Sequence, residues 1–327
     1  MLDVRFKEGV ELPAHGLWLD PHRARPLAFV SHAHSDHLSA HKEVVVTPAT
    51  ARLMRERLRG QRVERLLPYG VAATVGEAQV TLLPAGHVCG SAQLFLESAE
   101  GSLLYTGDFK LRKCRSTELC TWRQAETLVM ETTFGLPKYV LPPTEDVIQA
   151  VVSFCRETLE RAAVPVLYAY SFGKAQEIVW ALLEHGLVPM LGPAAFGLTE
   201  ICAEFQEGFP KGYLRLDAAN ASGHVLVVPP GLKTKRLLES VPSKRTAVLT
   251  GWAMDSSARF RYGTDAAFAL SDHADYPDLI RYVELVRPQR VLTLHGYAAA
   301  FASDLRARGV EAWALSEENQ LELPLGI

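Results

Sequence analysis

The chain has 327 residues, 48% of them apolar and 22% charged, with a formal net charge of −3. That length gives two domains or one large one with a sizeable core, and no low-complexity segment or fixed-period repeat interrupts it. Near-neutral charge leaves nucleic-acid binding open, because a local basic patch can act inside an acidic whole.

The opening MLDVRFKEGVEL lacks the apolar stretch of a signal peptide. No apolar run reaches the ~18 residues of a membrane span, so no membrane partner is expected. Five cysteines, Cys89, Cys114, Cys120, Cys155 and Cys202, are an odd number without CxxC spacing, which argues against a disulfide framework. A soluble, cytoplasmic, globular protein is expected.

In chain order, short apolar runs read as strands: PLAFV, KEVVVT, AQVTLLPA, SLLYTG, ETLVME, VPVLYAY, VLVVPP, TAVLTG, AAFALS and RVLTLHG. Helical patterns lie between them in TPATARLMRERLRG, DVIQAVVSFCRETLERA, KAQEIVWALLEHG (with Gly186 as its stop) and DYPDLIRYVELVRP. Mixed strands and helices along the whole length indicate an α/β fold. Residues 143–262 read as a separate unit, opened by the Pro142–Pro143 pair and containing only His185 and His224. The candidate ligands lie on either side of it, as an insertion into a catalytic domain would place them.

The densest chemical signal is FVSHAHSDHLSA. His32 and His34, two apart, point the same way in an extended segment. Asp36 and His37 follow and point differently, which suggests a second ion beside the first. Imidazole and carboxylate serve zinc and manganese alike. His87 in PAGHVCGS, Asp108 in YTGDF and His295 in TLHGY each follow an apolar run and sit next to or near glycine, where strand-end active-site residues are found. A histidine-rich surface loop, or ordinary turn residues, is the plainer alternative for each taken singly.

Together these motifs resemble the metallo-β-lactamase fold superfamily. The resemblance implies an αββα sandwich, one metal on His32, His34 and His87, a second on Asp36, His37 and His295, and Asp108 bridging the two. Asp20 in GLWLDP fits the family's early aspartate and is read with the catalytic residues. Glu131 in VMETTFG, His273 in LSDHADY and His295 in LHGY resemble motifs A, B and C of the β-CASP nucleases. That branch carries an inserted domain between motifs A and B, giving 1–142 with 263–327 as the metallo-β-lactamase domain and 143–262 as the insertion.

METTFGLP, YSFGKAQE, LTGW, LSDHADY and LHGY further resemble short bacterial mRNA 3′-end-processing-like exonucleases, a group associated with DNA ligase and repair helicases. The resemblance implies a two-metal phosphodiesterase, a DNA exonuclease in repair, in which a metal-bridging hydroxide attacks phosphorus. His273 would serve the leaving oxygen and Glu131 would hold its imidazole. The histidine at motif C is shared with RNA-processing members, so an RNA substrate is the alternative; a small-molecule hydrolase is a more distant one.

SFGKAQE is not a nucleotide-binding P-loop, since Tyr168 stands where its first glycine should be and Ala175 follows the lysine. Ser171, Gly173 and Lys174 open a helix and read either as a phosphate grip or as an ordinary helix start with a solvated lysine. Basic runs occur at 110–115, 233–236, 243–245 and 259–261. The arginine-rich ARLMRERLRGQRVER reads as an outer helix with Leu53, Met54 and Leu58 on its buried face, and Trp252 as a core residue.

Overall fold

The computed structural model describes residues 2–241, 243–255 and 257–315. By internal contacts the described chain divides into one unit of 2–140 with 273–315 and a second of 141–272. The second boundary of the inserted unit therefore falls ten residues beyond the expected 262. The strand at Ala266–Phe268 pairs in parallel with Lys244–Leu249, so it belongs to the insertion's sheet.

In chain order the first unit begins with β1 (Arg5–Phe6), β2 (Val10–Leu12), β3 (Leu17–Leu19), β4 (Leu27–Phe29) and β5 (Glu43–Val46). Helix α1 (Pro48–Arg57) follows, then β6 (Val63–Leu66), β7 (Ala72–Val75), β8 (Ala78–Pro84), β9 (Ala92–Ser98), β10 (Gly101–Tyr105) and β11 (Thr127–Glu131). The inserted unit holds α2 (Thr144–Glu160), β12 (Val164–Tyr168), α3 (Lys174–Glu184), β13 (Pro189–Leu191), α4 (Pro193–Phe205), β14 (Leu214–Arg215) and β15 (Val225–Val228). It closes with α5 (Leu232–Leu237), β16 (Lys244–Leu249), α6 (Ala258–Arg261) and β17 (Ala266–Phe268). The chain then returns to the first unit through α7 (Tyr276–Val286), β18 (Arg290–Leu294), α8 (Ala298–Ala307) and β19 (Glu311–Ala314).

Two sheets build the first unit. One runs in the order β1 to β6, and the other in the order β19-β18-β11-β10-β9-β8-β7. Their facing sides share one core, in which Leu12, Leu19, Phe29 and Val45 meet Leu82, Leu94, Leu103, Val129 and Leu294. The outer side of the second sheet buries Leu104, Leu128, Met130 and Val291 against Leu279, Tyr282 and Val286 of α7 and Phe301 and Leu305 of α8. Each such side chain taken from water contributes about 1.5–3 kcal/mol, and two covered faces explain why all five residues of β11 are buried. Helices outside two facing sheets make the expected αββα sandwich.

The insertion is an α/β unit with a wholly parallel sheet, β14-β13-β15-β12-β16-β17. One face of that sheet packs Ile148 and Val151 of α2 and Ile178 and Leu182 of α3 on Leu167, Val227 and Leu249. The helix α3 ends at His185 with Gly186 at positive φ, as its sequence indicates. The helix α8 also ends just before a positive-φ glycine, Gly309, whereas α4 runs into Gln206; neither helix was among the elements expected from sequence.

The helix ends matter for the site. Thr47 caps α1 by accepting the Thr50 amide at 3.1 Å, and the Thr47 and Thr50 hydroxyls both donate to the Gly90 carbonyl at 2.8 Å. Gly90 lies three residues after His87, so the start of α1 is fastened to that histidine's loop. A Cβ at Gly90 would lie 2.6 Å from Ala49 Cβ and 2.9 Å from the Thr50 amide, and φ is +77° there. All five cysteines are free and buried, and burial raises Cys120 and Cys155 to about 12. No described helix is long and apolar enough to cross a membrane.

Gly90→Ala should therefore lower stability by about 3 kcal/mol, read as a shift in urea midpoint. An unchanged midpoint would disprove this packing account.

Candidate metal centre

The ligand candidates gather at one edge of the sandwich because they follow strands that point the same way. The strand β8 runs antiparallel to β9 and β9 antiparallel to β10, so β8 and β10 are parallel, and β10, β11 and β18 are parallel too. His87, Asp108, Glu131 and His295 sit at or just after the ends of those four strands. From the other sheet, β4 leads into His32 and His34, and a single 3-10 turn, Ser35–His37, carries Asp36 and His37.

His32, His34, His87 and Asp108 each offer one donor atom within a 4.8 Å cluster. His34 Nδ1 lies 2.9 Å from His32 Nε2 and 3.2 Å from His87 Nε2. Asp108 Oδ2 lies 3.6 Å from His32 Nε2, 3.7 Å from His87 Nε2 and 3.5 Å from His37 Nε2. Two ligands about 2.0–2.1 Å from a tetrahedral zinc lie roughly 3.4 Å apart, which is the spacing these atoms show.

The hydrogen bonding behind the cluster decides which nitrogens face it. Ser31 Oγ donates to Asp20 Oδ2 at 2.6 Å, so its approach to His32 Nδ1 at 2.9 Å must be as acceptor. His32 Nδ1 therefore carries the proton, and Nε2 presents a lone pair to the cluster. A metal ion between His32 Nε2, His34 Nδ1 and His87 Nε2 would take up the lone pairs that these atoms can offer. The residues present thus fit a metal ion by the chemistry of their donors.

Asp20 stands at 4% exposure behind this arrangement. It accepts the Ser31 amide at 2.7 Å, the Ser31 hydroxyl, and the Tyr105 hydroxyl at 2.9 Å, and its Oδ2 is 3.1 Å from His37 Nδ1. Grouped with the catalytic residues on sequence grounds, Asp20 is a positioning residue in the structure, since it acts through His32 and His37. Ser31 and Tyr105 were missed in the sequence. The one local signal was Gly107, whose Cβ would come within 2.6 Å of Ser31 Cβ and which has φ +54°.

Charge follows the same plan. Burial lowers His32 well below the usual imidazole value, and three neighbouring histidines lower it further. Burial also lowers His295. For His37 burial acts the same way, but Asp108 and Asp20 outweigh it and raise the ring well above its usual value. Asp108 is held well below the carboxylate range, mainly by His37, against a burial effect of opposite sign. His37 also holds the Asp36 carboxyl down against burial, its Nε2 lying 3.8 Å from Asp36 Oδ2. Asp36 remains exposed while His37 is buried.

The His295 ring lies 6.2 Å from that of His37, and Asp36, His37 and His295 are not among the described groups whose donor atoms all come within 4.8 Å. His295 adopts φ +58°, a conformation that costs a non-glycine residue about 1 kcal/mol or more. Thr132 holds it by donating to the His295 carbonyl at 2.6 Å. A Cβ at the following Gly296 would collide with the Thr132 carbonyl at 2.4 Å, so the chain has glycine there.

Glu131 and His273 form a pair beside the cluster. His273 Nδ1 donates to Glu131 Oε1 at 2.9 Å, and its ring lies 4.6 Å from the His87 ring. Glu131 also accepts the Phe109 amide on Oε1 and the Thr133 amide on Oε2, each at 3.1 Å. With both oxygens occupied, Glu131 is a support for His273 and a poor metal ligand, although Asp108, Glu131 and His273 also come within 4.8 Å. His273 does not cap the following helix, because Asp275 does so by accepting the Asp278 amide at 3.1 Å.

The Ser171–Lys174 turn lies in the inserted unit. Gly173 has φ +92° and donates its amide to Gln176 Oε1 at 2.7 Å. Lys174 is buried and ion-paired with Asp272. A phosphate grip by Lys174 is therefore not what the structure presents, since a carboxylate already takes that charge. Trp252 is half-buried.

The family described as "Zn-dependent metallo-hydrolase RNA specificity domain" matches residues 266–315. A "Probable DNA ligase" of Opitutus terrae is 52% identical over 323 residues, 98% of this chain and 32% of that protein. The "5' exonuclease Apollo" of Gallus gallus is 35% identical over 177 residues, 51% of this chain and 38% of its own length. This chain thus spans about a third of the curated relatives it matches. A crystal structure of a protein of unknown function from Enterococcus faecalis V583 shares the fold at TM-score 0.57 and 15% identity, over 82% of this chain and 75% of that one.

Ser31→Ala removes the acceptor that sets the His32 tautomer. It should weaken zinc retention about 10–100-fold, measured by competition with a chelator; unchanged retention would refute the tautomer argument. His41 gives a second prediction. Its buried Nδ1 accepts the Arg25 amide at 3.1 Å, and burial lowers the ring from 6.5 to about 4. The unfolded chain binds a proton below pH 6.5 that the folded ring refuses, so stability falls as pH drops from 6.5 towards 4. His41→Gln should flatten that part of the denaturation-midpoint profile, and an identical slope would show that His41 does not contribute.

Proposed function

We propose that this chain, which belongs to the β-CASP branch of the metallo-β-lactamase fold, is a two-metal phosphodiesterase that cuts DNA. The observation that carries the reading is the Glu131–His273 pair set against the His/Asp cluster. In this reading His32, His34 and His87 would hold one zinc or manganese ion, Asp36, His37 and His295 would hold a second, and Asp108 would serve both. Bound there, divalent ions acidify water and offset charge developing on a phosphoryl group.

The chain's own residues supply the rest. Glu131 fixes the His273 Nδ1 proton, so Nε2 is the atom left to exchange a proton with the leaving oxygen. The Phe109 amide binds Glu131, and the Ala274 amide binds the Phe109 carbonyl at 2.8 Å. Asp108 and His273 are thereby held at a set separation, which lowers the entropy cost of reaching the reactive geometry. Asp20 keeps His37 and, through Ser31, His32 in register.

DNA repair as the setting, exonuclease action and partnership with a DNA ligase are supported by the relatives' names, with the Opitutus terrae protein bearing on the ligase. RNA is the second reading, favoured by the description of the domain that residues 266–315 match. End-labelled single- and double-stranded DNA and RNA, resolved on a gel, separate these readings.

With bis(p-nitrophenyl) phosphate and zinc or manganese, wild type should release nitrophenolate and Asp36→Ala/His37→Ala should not. No release with either ion would count decisively against the proposal. His273→Ala should keep its metal by elemental analysis while losing about 10²–10⁴-fold in turnover, whereas His32→Ala should lose metal. Equal metal loss in both variants would overturn the role given to His273.

A further inference from the structure

The end of α1 carries a feature that the metal centre does not use. A cavity of about 480 Å³ is lined there by Arg55, Arg59, Gln61, Arg62 and Glu64. Three guanidinium groups face one carboxylate. Glu64 is occupied, since Arg55 Nε reaches its Oε2 at 3.0 Å and Arg62 Nε its Oε1 at 3.3 Å. Arg59 is exposed and has no carboxylate partner among the described residues. The cavity therefore keeps a net positive charge with donors still available.

The helix that leads to this cavity is tied to loops of the cluster. The start of α1 is fastened to the His87 loop through Gly90. Its last residue, Arg57, is close enough to Asp36 to be affected by that carboxylate's charge. The helix thus runs along a flank of the centre, and Gly60, at φ +118°, turns the chain so that Arg59 and Arg62 face one hollow. Here the arginines line a shallow, largely open hollow.

We propose that this arginine-lined cavity binds a backbone phosphate of the nucleic-acid strand, at a position flanking the bond to be cut. The proposal rests on the nuclease reading above. Guanidinium groups suit a phosphodiester because their planar fork matches two phosphate oxygens. The glutamate does not repel the ligand, because Arg55 and Arg62 cover its oxygens. A nucleic acid fits better than an acidic protein segment, because the positive charge continues through Arg57 towards the site where a phosphodiester is cleaved.

The full chain is tested by fluorescence anisotropy with labelled single-stranded DNA across a salt series, together with turnover of DNA and of bis(p-nitrophenyl) phosphate. Arg59→Glu should weaken DNA binding about tenfold at low salt and reduce the log–log salt slope by about 0.7. KM for DNA should rise with little change in kcat, while turnover of the small diester stays at the wild-type level. Arg59→Lys should recover only part of the affinity, because it restores charge without the fork. A second variant, Arg55→Gln/Arg59→Gln, should move the same way without introducing a negative charge. Unchanged DNA affinity and slope in both variants, with normal diester turnover, would overturn the cavity's role. Loss of polyglutamate binding without loss of DNA binding would overturn it in favour of an acidic protein segment. If wild type cleaves neither substrate, the nuclease reading fails, while the anisotropy series still decides whether this cavity binds a nucleic-acid phosphate.

Discussion

The carboxylate of Asp20 is the junction on which the centre depends. It joins the loop after β3, the entry to the histidine cluster at Ser31, the end of β10 at Tyr105, and the His37 ring. Those segments come from both sheets of the sandwich. A buried carboxylate is costly unless its lone pairs are satisfied, and here three donors and a raised His37 satisfy them. The same bonds that make its burial tolerable set the tautomer of His32 and the orientation of His37. Stability and ligand geometry are thus one arrangement, and strain such as the φ +44° of Asp20 itself can persist within it.

A second carboxylate repeats the pattern on the other side. Glu131 is buried at the end of the wholly buried β11 and accepts two amides and the His273 ring. It is too well satisfied to be a good metal ligand and well placed to hold the His273 ring. Two buried carboxylates therefore act indirectly, while Asp36 and Asp108 face the cluster. Environment, more than residue type, separates the two roles.

The sequence made the ligands legible because imidazoles are uncommon and costly to bury, so six of them beside strand ends demanded a common explanation. The αββα architecture followed from the same resemblance. What stayed hidden were groups whose chemistry is ordinary and whose partners are distant. Ser31 and Tyr105 are common residues, and only folding brings Tyr105 to an aspartate 85 positions away. Lys174 was misjudged for the same reason, as Asp272 lies 98 positions on. The arginine-rich helix was read correctly as packed through Leu53 and Met54. Its periodicity, however, gave no sign of the hollow beyond its end, because a turn at Gly60 creates it. The inserted unit ended later than composition indicated, because β17 is short and only its pairing reveals its allegiance.

The division of the first unit by the insertion has a consequence for the chain's synthesis. His32, His34, Asp36, His37, His87, Asp108 and Glu131 all precede residue 141, but His273 and His295 follow residue 272. The strand β18, which pairs with β11 and ends at His295, is also made late. A nascent chain can thus display most of its imidazoles while His273 and His295 are still untranslated. Translation at ~5–20 residues per second separates the two halves by roughly 7–26 seconds. Until the ribosome passes the insertion, the growing polypeptide carries the cluster's imidazoles and carboxylates from the first segment without His273 and His295 to complete the arrangement seen in the fold.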